Sequence, residues 1–131
     1  MSKRMMCSIV AIFVLVLSVG GVLAEELPEG ITMVTLKEAP APHLPGIAKT
    51  KLIELRMAPG AKWMNHKLTT SGFCTAVQGN ITAEIVGKDK TITHFEGETW
   101  VMKKGHTLNM YNYGKVDHVQ HVWLLVEDDK S

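Results

Sequence analysis

The sequence predicts an all-β domain, a single small antiparallel β-barrel, and three observations carry that prediction. Residues 60–79 and 97–112 are two segments of similar size bounded by turn signals. Pro59-Gly60 and Gly79-Asn80 flank the first; Gly97 and Asn112 flank the second, with Lys104-Gly105 turning inside it. Residues 51–57 (KLIELRM) alternate, Ile53, Leu55 and Met57 against Glu54 and Arg56, as a half-buried strand does. No segment carries a convincing helical repeat, and regular short strands separated by turns are the signature of a sandwich or barrel.

Taken in order, residues 1–24 read as a secretory signal peptide. Lys3 and Arg4 form the positive start and residues 9–19 the apolar stretch. Val22 and Ala24 hold the minus-three and minus-one positions of a cut before Glu25. The alternative is an uncleaved anchor, because residues 5–24 carry no charge and about 20 apolar residues span a bilayer. The Gly20-Gly21 break and the Val-Leu-Ala exit favour cleavage. The expectation is a periplasmic or secreted protein with no membrane attachment after cleavage. Cys7 lies in the signal segment, so Cys74 is left alone in the mature chain and cannot form a disulfide within one molecule.

Residues 25–47 form a proline-rich arm with Pro28, Pro40, Pro42 and Pro45, and its run APAPHLPG favours extended, polyproline-like backbone. Within it, residues 31–36 are a short strand able to pair along the barrel or with a second subunit. The barrel occupies residues 48–127, with strands expected at 51–57, 63–68, 73–78, 80–86, 91–95, 99–102, 107–111 and 117–126. A turn at residues 87–90 separates two of them. At 131 residues, 46% apolar and 21% charged, the chain is one globular domain. Without Lys3 and Arg4 the 14 basic residues fall to 12 against 13 acidic ones, a net charge of −1. A near-neutral domain with no basic cluster gives no electrostatic case for binding nucleic acid.

The two glycine-bounded segments resemble the cupins. Gly60, His66 and Gly79 fall on the frame of the first cupin motif, with Leu68 and Gly72 where that family carries its second His and its Glu. In the second motif Gly97, Gly105 and Asn112 fit, Lys103 replaces the Pro and Leu108 replaces the His. The resemblance covers residues 51–126 and implies a single cupin-like jelly-roll barrel, often paired through edge strands, hence a homodimer.

It also implies a pocket. If His66 points inward as the matching family position does, Met64 and Leu68 point with it, since residues two apart share a face. The same counting places Cys74 and Ala76 inward from Gly72, and His106 and Met110 inward from Leu108. In residues 117–126 the more apolar face holds His121 with Val119, Trp123 and Leu125; the alternative turns His118 and Gln120 in. Trp63, Trp100 and Trp123 are read as packing residues. The expected lining is therefore Met64, His66, Leu68, Cys74, His106, Leu108, Met110 and His121.

With three of four usual ligand positions replaced, His66 alone cannot hold a hard divalent ion, and no cofactor is expected. A soft set of Met64, His66, Cys74, His106 and Met110 would suit copper(I), although Met and Cys are equally ordinary fillers of apolar cavities. The implied role is a small-molecule-binding cupin without the usual metal centre. The alternative is an isomerase, lyase or oxygenase of the same fold, using His66 with another His or a soft metal. No catalytic residue is assigned: His66 also reads as a packed core histidine, and no carboxylate supports Tyr111 or Tyr113 as a proton donor.

Overall fold

The computed structural model describes residues 26–128. The signal segment, residues 1–24, and its cleavage point lie outside them. Nine strands form two antiparallel sheets, so the described chain is an all-β, jelly-roll-like domain. The first sheet has the order β1 (Ile31–Pro40), β2 (Ile47–Met57), β9 (His118–Glu127), β4 (Ser71–Gln78), β7 (Thr99–Met102). The second has the order β3 (Lys62–Lys67), β8 (Thr107–Tyr111), β5 (Ile81–Ile85), β6 (Lys90–His94).

Alternation in β2 decides which way its side chains go. Ile53, Leu55 and Met57 are buried, while Glu54 and Arg56 stay at the outer face. Fully burying such a side chain stabilises the fold by roughly 1.5–3 kcal/mol. They pack with Ile31, Trp63, Cys74, Ile81, Met110 and Val122 into one core between the sheets.

The proline-rich arm is not a separate appendage. β1 runs antiparallel to β2 from Ile31 opposite Met57 to Pro40 opposite Lys49, with an irregularity between Thr35 and Lys37. It is therefore longer than the expected strand at 31–36 and pairs within its own chain. A proline at the end of an edge strand breaks no ladder bond on its open side, so Pro40 ends the strand without disrupting it.

The registers sort the connections onto two ends. Thr50, Leu125 and Ser71 lie in one row across the first sheet, and Lys67 lies opposite Thr107 in the second. The β1–β2, β3–β4, β5–β6 and β7–β8 connections therefore share one end, which we call the Lys67 end. The other connections meet at the opposite end, where Gly79 (φ 72°) makes the β4–β5 turn. A Cβ on Gly79 would lie 2.8 Å from the carbonyl oxygen of Asp117, so the close approach as well as the positive φ requires glycine.

Candidate functional site

A cavity of about 210 Å³ lies between the sheets. Its wall is mainly apolar: Ile53 and Leu55 from β2, Ile81 and Ala83 from β5, Leu108 and Met110 from β8, Val122 and Leu124 from β9. His66, Leu68, Cys74, Leu108 and Met110 all line it, in the places expected of them.

Met64 does not line it; it lies on the outer surface at 44% exposure, and Trp63 points in instead. The reason is a β-bulge. Trp63 pairs with Met110 but His66 pairs with Leu108, so β3 has one residue more than its partner over this stretch. Asn65 takes up the extra residue with φ 54°, a left-handed conformation that asparagine tolerates better than most residues. Its N–H donates to Oδ1 of Asn109 at 2.7 Å, and Nδ2 of Asn109 donates to Glu84 at 2.8 Å. The bulge turns both Trp63 and His66 inward, and their rings stack with centroids 3.9 Å apart.

His106 is also displaced from the expected set. It ends the β7–β8 turn before the first paired residue of β8, so the strand period does not reach it. Its N–H donates to the Lys103 carbonyl and its carbonyl accepts from Leu68 N–H at 2.8 Å. Of the soft-metal set, His66, Cys74 and Met110 line the cavity, while His106 and Met64 do not. Among the described residues no group of three or more His, Cys, Asp and Glu side chains is placed to hold a metal ion.

His121 faces outward, although the expectation placed it inward. It lies 3.2 Å from Glu54 Oε1 on the outer face, while His118, Gln120, Val122 and Leu124 turn in. The apolar majority of Val119, Trp123 and Leu125 misled the face assignment, because the outer face of this sheet is itself apolar near Trp123.

The inward set makes a buried chain. Nδ1 of His118 faces the Gly79 carbonyl at 3.3 Å, its Nε2 lies 2.6 Å from the Gln120 amide, and the other end of that amide lies 3.4 Å from Cys74 Sγ. Burial keeps the His118 ring below its usual pKa and hence neutral at pH 7. A neutral ring has one N–H and cannot donate to two oxygens. The Gln120 amide therefore sets its N–H toward the ring: the Cys74 thiol donates to Oε1, the amide N–H donates to His118 Nε2, and His118 Nδ1–H donates to Gly79. The thiol fits that role, because burial pushes Cys74 up to about 12 and keeps it protonated. A protonated thiol is not a thiolate nucleophile.

His94 is the second histidine of the wall, on β6, stacked on Trp100 at 3.8 Å and 3°. Burial, and secondarily His118, hold its pKa down, while Glu98 opposes them. Its alternation with Ile92 was the available signal for an inward position. Gly72 explains one missing ligand: a Cβ there would sit 1.8 Å from the main-chain oxygen of Trp123. β4 and β9 approach too closely for the family's Glu, or any side chain, to stand at that position.

The sequence matches no family model and no curated protein. Solved structures do match. The polyketide cyclase RemF from Streptomyces resistomycificus superposes with a TM-score of 0.62 at 14% identity, covering 80% of this chain and 71% of that one. The cupin domain of Cnp3 from Schizosaccharomyces pombe gives 0.59 at 12% identity, covering 79% and 70%. A cupin 2 conserved barrel domain protein from Salinispora arenicola gives 0.58 at 14%, covering 79% and 81%. Likeness at such identities speaks to architecture alone. The glycine frame, the two facing sheets and these superpositions agree: the chain has the cupin fold.

Proposed function

We propose that this chain is an exported small-molecule-binding cupin whose barrel cavity is the binding site and which works without the usual hard-metal centre. The observation that supports this most is the cavity of about 210 Å³, with Leu68 and Leu108 in its wall where the family's histidines would stand. Concave, mainly apolar sites with a few polar groups are the usual form of a ligand pocket. Toluene, a neutral apolar probe, is expected to raise the melting temperature. Leu108→Trp, which fills the cavity, should abolish that shift, and prior treatment with a strong chelator should leave it intact. No stabilisation by toluene in the wild type would sink the reading.

Export rests on residues 1–24, and mass analysis of the exported protein is expected to find Glu25 first. A chain starting at Met1 in the membrane fraction would support the anchor instead. A homodimer also belongs to the proposal. The enzyme alternative draws on one observation, the presence of both His66 and His94 in the cavity wall.

A further inference from the structure

We propose that the cavity takes a small monocarboxylic acid as its anion, with the apolar body inside the barrel and the carboxylate at the Lys67 end. This rests on reading the cavity as a binding site and goes on to name the ligand class.

Size sets the body. An apolar cavity of about 150 Å³ accommodates benzene, so about 210 Å³ suits a singly substituted ring or a short branched chain. Polarity sets its orientation. The deep polar groups are already engaged: Gln120 joins His118 to the neutral Cys74 thiol, His94 lies flat on Trp100, and His66 stacks on Trp63. None of them is permanently charged, and an unpaired carboxylate buried there would be costly.

The polar residues at the mouth differ. Lys67, Thr69 and Thr70, from the end of β3 and the β3–β4 connection, line the cavity, and Lys67 is the one permanently charged residue among the described lining residues. Other lysines nearby are already paired: Lys49 with Glu38 at 2.9 Å and Lys104 with Glu127 at 2.6 Å. Lys67 forms no ion pair with another described residue, and neither do Lys88, Lys90 and Lys103 on the neighbouring connections. The opposite end carries Glu26, Glu29, Glu96, Glu98 and Asp117 against Arg56, Lys62 and Lys115. In a mature chain of net charge −1 this separation leaves Lys67, Lys88, Lys90 and Lys103 against Asp89 and Asp128 at the Lys67 end, which makes the mouth basic and favours anions there. One ammonium with two hydroxyls suits a monoanion; the chain's one arginine outside the signal segment, Arg56, lies at the far end, so a bidentate phosphate clamp is missing from the mouth.

The test compares phenylacetate, its neutral isostere phenylacetamide, phenyl phosphate and toluene on the mature chain by calorimetry. Phenylacetate is expected to bind roughly tenfold tighter than phenylacetamide at low salt, as a charge-assisted hydrogen bond implies. Lys67→Met should erase that difference and leave toluene binding unchanged, Lys67→Arg should restore most of it, and Lys62→Met at the other end should change nothing. If toluene binds while phenylacetate is no tighter than phenylacetamide, the ligand class is wrong and the cavity reading survives. Tighter binding of phenyl phosphate also overturns the carboxylate. If none of the four binds, the cavity reading fails and takes this inference with it.

Discussion

Two neutral histidines are built into the inner face of this barrel, and their neutrality has a cost in acid. Burial holds His118 and His94 below the ordinary value of 6.5. In the unfolded chain both rings protonate near that value, so below it the unfolded state binds protons that the folded state refuses. The stability tied to the neutral rings is therefore complete above pH 6.5 and is lost as pH falls through their depressed folded values. The melting temperature should be flat from about pH 8 to 7 and decline steadily below about 6.5. A flat profile down to about pH 5 would refute the neutral-ring assignment. At this scale the sequence was only half legible. Period two correctly set Cys74, Leu108 and Met110 inward, but it could not choose between His118 and His121, because both faces of β9 carry apolar residues.

Among the elements, β4 shows how closely the backbones approach where the family would place a metal ligand. Gly72 lies opposite Leu124 in β9 and opposite Met102 in β7, and an added Cβ would strike main-chain atoms of Trp123, which cannot swing away as a side chain can. Gly72→Ala is expected to destabilise the fold by about 1–3 kcal/mol, the usual range for overpacking, and chemical denaturation would measure it. A neutral effect would mean that β4 and β9 separate readily and that the missing Glu needs another explanation. Turn signals made these strands legible, since glycine pairs such as Gly79-Asn80 mark real reversals of the chain. The bulge in β3 was not legible: Asn65 is unremarkable in sequence, and the extra residue shows only when β3 is set against β8. One such residue moved Met64 out and Trp63 in.

For the whole molecule, the outer face of the five-stranded sheet bears on assembly. The registers place Leu52, Trp123, Phe73 and Val101 side by side in one row across β2, β9, β4 and β7. Trp123 is 45% exposed, Phe73 44% and Val101 76%, so the row is open to solvent in the single chain. Contiguous apolar surface of this kind marks interaction sites more often than scattered apolar residues do. A twofold axis would set the row against itself, each copy supplying the same patch, which is how most homodimers form. The arm is a weaker candidate than it looked from sequence, because β1 spends one edge on its own β2. Trp123→Lys puts a charge at the centre of the row without touching the core, so the variant should fold with nearly wild-type stability. Sedimentation equilibrium should then show a wild-type dimer and a mutant monomer at about 10 μM, if the interface is worth a micromolar dissociation constant or better. A dimer unaffected by the substitution would move the interface to the open edge of β1, and a wild-type monomer would remove the homodimer from the proposal.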